Sequence, residues 1–218
     1  MRQLDLPARI KTKTSAGYGR RYFPAVIESV EARVLLSSYT IGSLAAFTGA
    51  NGATPSALVA DSAGNLYGTT SGGGADGSGT VFEIAAGTAK ITTLASFNGS
   101  NGDTPIGGLT IDSSGNLYGT TNVGGASDNG TIFEIKSGTK AITTLASFDY
   151  TDGQSPNSAM LLLNGSLYGA AYSGGDSGSG TIYKFDLGTD TLTRLASFDE
   201  GPSGMEPNSA LVADSAGN

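Results

Sequence analysis

The chain has 218 residues, 34 of them glycine, a net charge of −7, and no cysteine, histidine or tryptophan. Without cysteine and histidine there is no disulfide, no thiol nucleophile, no imidazole base and no His/Cys zinc site. No stretch approaches the roughly 20 apolar residues of a membrane-spanning helix.

Charge divides the chain. Residues 1–40 carry seven Lys/Arg against three Asp/Glu, whereas residues 41–218 carry five against sixteen. So acidic a stretch repels a phosphate backbone, and no nucleic-acid partner is expected. The basic segment 1–40 lacks the apolar run of a standard secretory signal, because Phe-Pro-Ala-Val-Ile at 23–27 is too short. Within it, Val30-Glu31-Ala-Arg33-Val-Leu35-Leu36-Ser37 resembles the Leu-Glu-x-Arg-x-Leu-Leu-Ser segment near the start of many large bacterial surface proteins. That resemblance implies an export or processing leader. Read from its residues alone, the stretch 25–36 is a short amphipathic helix.

From residue 41 the chain repeats itself. Phe47, Phe97, Phe148 and Phe198 end Leu-Ala-x-Phe words, Tyr67, Tyr118 and Tyr168 centre Gly-x-Leu-Tyr-Gly-like words, and Phe82, Phe133 and Tyr183 close Gly-Thr-x-aromatic words. Successive copies lie 50 or 51 residues apart. A fixed period of this size marks an array of supersecondary units, none of which buries its apolar surface alone. The array opens on a lone final-type strand near residues 39–47. Each full repeat then holds four short runs rich in β-branched and aromatic residues, which in the second copy are 109–112, 117–121, 131–135 and 142–148. No 3.6-residue stripe appears. The first turn reads Asp61-Ser-Ala-Gly64-Asn65, then Asp112-Ser-Ser-Gly115-Asn116, then Asn164-Gly165 without the aspartate. The retained glycine supplies the positive φ of a tight hairpin, so the aspartate is a turn residue rather than an obligatory ligand.

Four strands in about 50 residues is the pattern of a propeller blade. The expected fold is all-β: a β-propeller-like array of four-stranded antiparallel blades over residues 41–218, with three full repeats and a part, hence an incomplete propeller. A parallel β-solenoid is the rival architecture. Open blade edges are expected to favour association.

The words Gly64-Asn-Leu-Tyr-Gly-Thr-Thr70, Gly115-Asn-Leu-Tyr-Gly-Thr-Thr121, Gly79-Thr-Val-Phe82 and Gly130-Thr-Ile-Phe133 resemble the Gloeo/Verruco tandem repeat of bacterial surface and secreted proteins. The third repeat departs, with Ala170-Ala171 for Thr-Thr and Tyr183-Lys184 for Phe-Glu. The resemblance implies an extracellular, propeller-like array and carries no catalytic residues with it.

The glycine-rich loop 71–79 lacks the Lys-Ser/Thr and the following helix of a phosphate loop, and reads as a hairpin loop. The repeated tyrosines read as core rather than as sugar-stacking platforms. The charges are more informative. In the expected topology, the loops between blades and between second and third strands share one face. Those loops hold Asp76, Asp103, Asp128, Asp149, Asp152, Asp176, Asp199, Glu200 and Glu206, while Lys90, Lys136, Lys140, Lys184 and Arg194 fall to the other side. An acidic face suits a cationic ligand or Ca²⁺, although the acids sit at unequal offsets from the blade tyrosines, unlike ligands of a repeated metal site. No metal site and no other cofactor is expected. The candidate ligand-binding residues are Asp76, Asp103, Asp128, Asp149, Asp152 and Asp176, with Asp149 and Asp152 the best local pair.

Three functions follow from this reading. The first is a non-enzymatic, exported or cell-surface module that binds a protein or glycan through its acidic loops. The second is a structural spacer or adhesin stalk. The third is a share of a propeller enzyme, a lyase or glycan-degrading one, whose catalytic groups lie in further blades; this stretch offers no histidine and no carboxylate pair on a first strand to serve it.

Overall fold

The computed structural model describes residues 43–201, 204–214, 216 and 217, all of them in one unit, Gly42–Asn218. The leader residues Glu31, Arg33, Leu35, Leu36 and Ser37 lie outside the described residues. The described residues form no helix. Three antiparallel sheets follow in chain order. The first holds β1 (Ala53–Ala60), β2 (Leu66–Gly72), β3 (Thr80–Ile84) and β4 (Ile91–Ser96). The second holds β5 (Thr110–Ile111), β6 (Leu117–Thr121), β7 (Thr131–Ile135) and β8 (Thr143–Ser147). The third holds β9 (Gln154–Pro156), β10 (Leu161–Leu163), β11 (Ser166–Ser173), β12 (Thr181–Asp186) and β13 (Thr191–Ser197). In this last sheet the first strand is split, so β9 and β10 both pair with β11. Each sheet is an up-and-down meander of neighbours, which is a blade and not a solenoid rung.

One expectation is corrected. Residues 43–47 form no strand, and of the expected opening strand only its phenylalanine keeps a role. Phe47 packs edge-on against Phe82, with ring centroids 4.9 Å apart.

The same contact recurs and explains two of the repeated words. Phe97 meets Phe133 at 5.0 Å, and Phe148 meets Tyr183 at 4.8 Å, all edge-on. Phe97 and Phe148 thus leave the last strand of one blade and pack on the third strand of the next. Each third-strand ring also lies over the glycine of the Leu-Tyr-Gly word. A Cβ on Gly119 would sit 2.5 Å from Phe133 Cζ. The ring fits only because that residue has no side chain.

The prolines join blade to blade. Thr54, Thr104, Ser155 and Glu206 precede Pro55, Pro105, Pro156 and Pro207, and all four are left-handed, with φ between 53° and 57°. That conformation costs an L-residue about 1–2 kcal/mol. It is offset where the strained amide donates to the preceding blade: Thr104 N to Ser78 O (3.1 Å), Ser155 N to Asn129 O (3.0 Å) and Glu206 N to Ser179 O (2.8 Å). The proline then covers the glycine that opens the preceding third strand. A Cβ on Gly130 would lie 2.9 Å from Pro156 Cδ.

The two apolar clusters lie between neighbouring blades. One gathers Val81, Phe97, Leu109, Leu117, Phe133 and Ile135, and the other includes Tyr118, Ile132, Phe148, Leu167, Tyr183 and Phe185. Sheets covered on both sides need continuous apolar strands, and β7 is accordingly buried along its whole length. Buried threonines close the sheets by pairing: Thr70 with Thr80, and Thr121 with Thr131, each pair 2.9 Å apart.

The third blade breaks this pattern in two places. Ser56 shares a 2.6 Å hydrogen bond with Thr69, but its counterpart Ser158 meets Ala170 at the place of Thr69 and is buried without a partner among the described residues. Tyr183 replaces phenylalanine, and its hydroxyl is likewise buried and unpartnered. Burial pushes the pKa of that phenol far above its ordinary value. An orphaned buried hydroxyl costs about 1–3 kcal/mol. Tyr183→Phe should therefore raise the urea midpoint, with a gain of about 1 kcal/mol. A loss of stability would mean that the hydroxyl has a partner.

Candidate binding surface

The loops that join blades and those that join second to third strands lie on one face and are tied to each other. Gly74 N donates to Gly49 O (2.9 Å), Gly125 N to Gly99 O (2.9 Å) and Gly175 N to Tyr150 O (2.7 Å). Backbone bonds hold both loops of each blade, which leaves their side chains free to vary without moving the frame.

In the first two blades an asparagine closes the incoming loop. Asn51 Oδ1 accepts from Thr48 N at 2.8 Å, and Asn101 Oδ1 accepts from Asn98 N at 2.9 Å. In the second blade Asn98 caps in return, its Oδ1 accepting from Asn101 N (3.1 Å) and Ser100 Oγ (2.9 Å). The third blade keeps only this second cap: Asp149 Oδ1 accepts from Thr151 N (2.8 Å), Thr151 Oγ1 (2.6 Å) and Asp152 N (2.9 Å). Asp152 now stands where the capping asparagine stood. Its carboxylate accepts no hydrogen bond among the described residues.

Arg194 completes the cluster. It lies on β13 opposite Tyr183, a position occupied by Thr93 and Thr144 in the other blades. Its Nη1 donates to Thr151 O at 3.0 Å and to Asp176 Oδ1 at 2.8 Å. This corrects the expectation that Arg194 belongs to the opposite side. The side chain is long enough to climb from the strand to the loop face, and it finds a carboxylate and a carbonyl there. Tyr150, half exposed, brings its hydroxyl over the neighbouring loop, where a Cβ on Gly178 would lie 2.6 Å from it.

Asp149, Asp152 and Asp176 are thus brought together around Arg194. The other sequence candidates are not part of this cluster. Asp76 is exposed in the first blade's loop. Asp103 bridges Val123 through its backbone and takes the Thr104 hydroxyl at 2.9 Å. Asp128 is left-handed at φ 58° and caps Gly124 N at 2.9 Å. Glu206 takes the Tyr172 hydroxyl at 2.7 Å. Sequence reading missed Tyr150 and misplaced Arg194. Both are departures from the repeat at their positions, and that was the signal available.

The two neighbouring carboxyls titrate in opposite directions. The Thr151 hydroxyl and the Asp152 amide hold Asp149 below its ordinary value. Desolvation, then the charge of Asp149, pushes Asp152 above its ordinary value, against the pull of Arg194. Asp149 therefore adds stability above its unfolded value of about 3.9, and loses it as pH falls through the lowered folded value. Asp152 does the reverse: its ionised form costs stability above the raised folded value, and the cost fades as pH falls toward about 3.9. Urea unfolding at pH 7 should find Asp152→Asn more stable and Asp149→Asn less stable than the parent. Both differences should shrink in acid. The same sign for both variants would contradict the arrangement.

At the opposite end, Asp61 and Asp112 carry the first turns. Asp61 accepts from Ala63 N and Asn65 N (both 2.9 Å), from Asn65 Nδ2 (2.8 Å) and from the Tyr67 hydroxyl (3.1 Å), and Asp112 repeats the set with Ser114, Asn116 and Tyr118. Desolvation, reinforced by the Asp61 hydrogen bond and Glu83, pushes the Tyr67 phenol up to about 12. The repeated aspartate is a turn clamp, as its loss at Asn164-Gly165 implied. Among the described residues, no group of three or more His, Cys, Asp or Glu side chains is placed to hold a metal ion. No helix there is long and apolar enough to cross a membrane.

Stacked four-stranded meanders joined through their edges define a β-propeller-like repeat protein. The model of the Gloeobacter/Verrucomicrobia repeat matches residues 33–218, and the chain belongs to that family. No protein of curated function matches it. Among solved structures it is similar to the extracellular domain of BT4673 from B. thetaiotaomicron, with TM-score 0.50 and 16% identity over 78% of this chain and 19% of that one. It is also similar to XC5397, a gluconolactonase from Xanthomonas campestris (TM-score 0.47, 18% identity, 74% of this chain and 51% of that one). TolB from Acinetobacter baumannii is a further likeness (TM-score 0.43, 15% identity, 61% and 29%). The chain spans about half or less of the length of each. At these identities the likeness to BT4673 shows the fold alone.

Proposed function

We propose that this array is a non-enzymatic binding module, exported or displayed at the cell surface, that takes a protein or glycan on its acidic loop face at the third blade. The observation that carries the reading is the loss of one of two reciprocal caps in the incoming loop. Asp149 keeps the cap that Asn98 makes in the second blade, whereas Asp152, in the place of the capping Asn101, accepts no hydrogen bond among the described residues and feels the charges of Asp149 and Arg194. A carboxylate held at a cost to stability is a common mark of a functional position. Tyr150 adds an exposed aromatic surface beside it, of the kind used to pack against a sugar ring or a partner side chain. The mechanism is rigid display: the glycine-tied loops hold these groups in a fixed arrangement, so little ordering entropy is lost on binding. No cofactor takes part in this reading. The leader-like segment supports export.

The test is a screen of immobilised glycans and of surface proteins from the native source, run with the parent chain and with the Asp149→Asn/Asp152→Asn double variant. Loss of a saturable signal in a folded double variant supports the site. An unchanged signal removes these residues from it.

A further inference from the structure

The gap between first and second blades, at the end opposite the acidic loops, contains a cleft of about 310 Å³. That is the low end of the about 300–1,000 Å³ typical of ligand pockets. One wall is Tyr67, Glu83 and Leu94 of the first blade, and the other is Leu117, Ile135 and the turn from Lys136 to Lys140 of the second.

The next gap is built from the same repeat and is filled. There Leu187 packs into the core cluster with Tyr118 and Leu145. Tyr118 and Glu134 are only 4% and 8% exposed. Fifty residues earlier the position of Leu187 is held by Ser137, which is exposed, and the counterparts Tyr67 and Glu83 are half-buried. The smaller, exposed Ser137 thus stands at the open cleft where Leu187 fills the next one.

The chemistry of the walls is specific. The phenol of Tyr67 has one proton, and Asp61 Oδ2 at 3.1 Å is nearer to it than Glu83 Oε1 at 3.5 Å. Glu83 therefore keeps acceptor capacity facing the cleft and calls for a hydroxyl donor. Leu94, partly exposed, offers an apolar edge for a C–H face, backed by the buried Leu117 and Ile135. Lys136 and Lys140, on the opposite wall, supply cationic donors for an anion.

We propose that this cleft binds a hydroxylated anion with the size of a single sugar ring, of the hexuronate class. The ring hydroxyls bond Glu83, the ring face lies against Leu94, and the carboxylate meets the lysines. The site is separate from the third-blade loops and does not rest on the function assigned to them.

Titration calorimetry of the intact chain with glucuronate and with glucose tests it. Glucuronate should bind saturably and at least several-fold tighter than glucose. Ser137→Leu, which copies the filled gap, should weaken glucuronate at least tenfold while circular dichroism stays unchanged. Should that variant fail to fold, Lys136→Ala/Lys140→Ala, at exposed positions, should still lower glucuronate affinity severalfold. The Asp149→Asn/Asp152→Asn variant should bind glucuronate as the parent does. Absence of saturable glucuronate binding overturns the proposal. So does equal binding of glucose, undiminished binding by the folded cleft variants, or loss of binding in the loop variant.

Discussion

Phe133→Ala is expected to destabilise the array by about 3–5 kcal/mol, the usual cost of removing a fully buried ring. Phe133 is 0% exposed and has contacts in two blades. It lies over Gly119 within its own sheet and edge-on to Phe97 from the blade before. The vacated space cannot be filled by Gly119, which has no side chain to move. The loss therefore combines transfer, cavity and aromatic-pair terms. Phe47→Ala provides the internal comparison. Phe47 makes the same pairing with Phe82 but is only half-buried, so its removal should cost clearly less. Urea unfolding of both variants measures the difference. Equal costs would show that the inter-blade ring pairs are not what holds successive blades.

Gly130→Ala should be nearly as damaging, at about 3 kcal/mol or more. Two effects add here. Gly130 has φ 99°, which an L-residue rarely adopts, and a Cβ there would lie 2.3 Å from Thr121 O and 2.9 Å from Pro156 Cδ. Neither neighbour can withdraw: the carbonyl belongs to β6, and the proline ring is the joint to the third blade. Gly138→Ala separates the terms. Gly138 has φ 73°, and nothing lies within 4 Å of a Cβ built on it, so only the conformational cost of about 1–2 kcal/mol should remain. A Gly130→Ala variant no worse than Gly138→Ala would mean that the blade joint yields easily. The same variant should also loosen the junction of the second and third blades, because Gly130 O accepts the amide of Phe148 at 3.0 Å.

These expectations put a physical meaning on each repeated word. Leu-Ala-x-Phe carries the ring that crosses to the next blade. The glycine of Leu-Tyr-Gly makes room for the ring of Gly-Thr-x-aromatic. A fourth word, Asn51-Gly52-x-Thr54-Pro55 with its copies at 101–105 and 152–156, supplies the strained residue and the proline that close on the preceding blade's glycine. The words recur together because each is half of a contact whose other half sits in a different word.

The blade was legible for that reason. Short β-branched and aromatic runs, turn glycines and a 50- or 51-residue period are read from the chain directly, and they gave four strands per repeat and their order. The aspartate of the first turn was also readable, since hairpin chemistry acts within five residues. The expected strand at 39–47 fails where it can be seen. Residues 43–47 have the composition of a last strand, but a strand requires a bonded neighbour, and composition does not provide one.

The binding surface was only half legible. Acid-rich loops on one face followed from the topology, and Asp149 and Asp152 were singled out by their spacing. That Asp149 rather than Asp152 takes the capping role depends on which carboxylate reaches the amides of Thr151 and Asp152. Arg194 was assigned to the wrong side because strand position was read without side-chain reach. The cleft beside Tyr67 was not foreseen at all, since Ser137 and Leu187 differ in volume only in a way that matters once two blades face each other.

The sequence by itself determined the unit, its period and the residues that each blade must bury, because backbone preference and hydrophobic periodicity act over a few residues. The tertiary structure alone decided which side chains meet: Arg194 with Asp176, Asp152 without a bond, Glu83 facing an open gap. Those outcomes depend on distances across loops and between sheets, set by how one blade's surface fits the next.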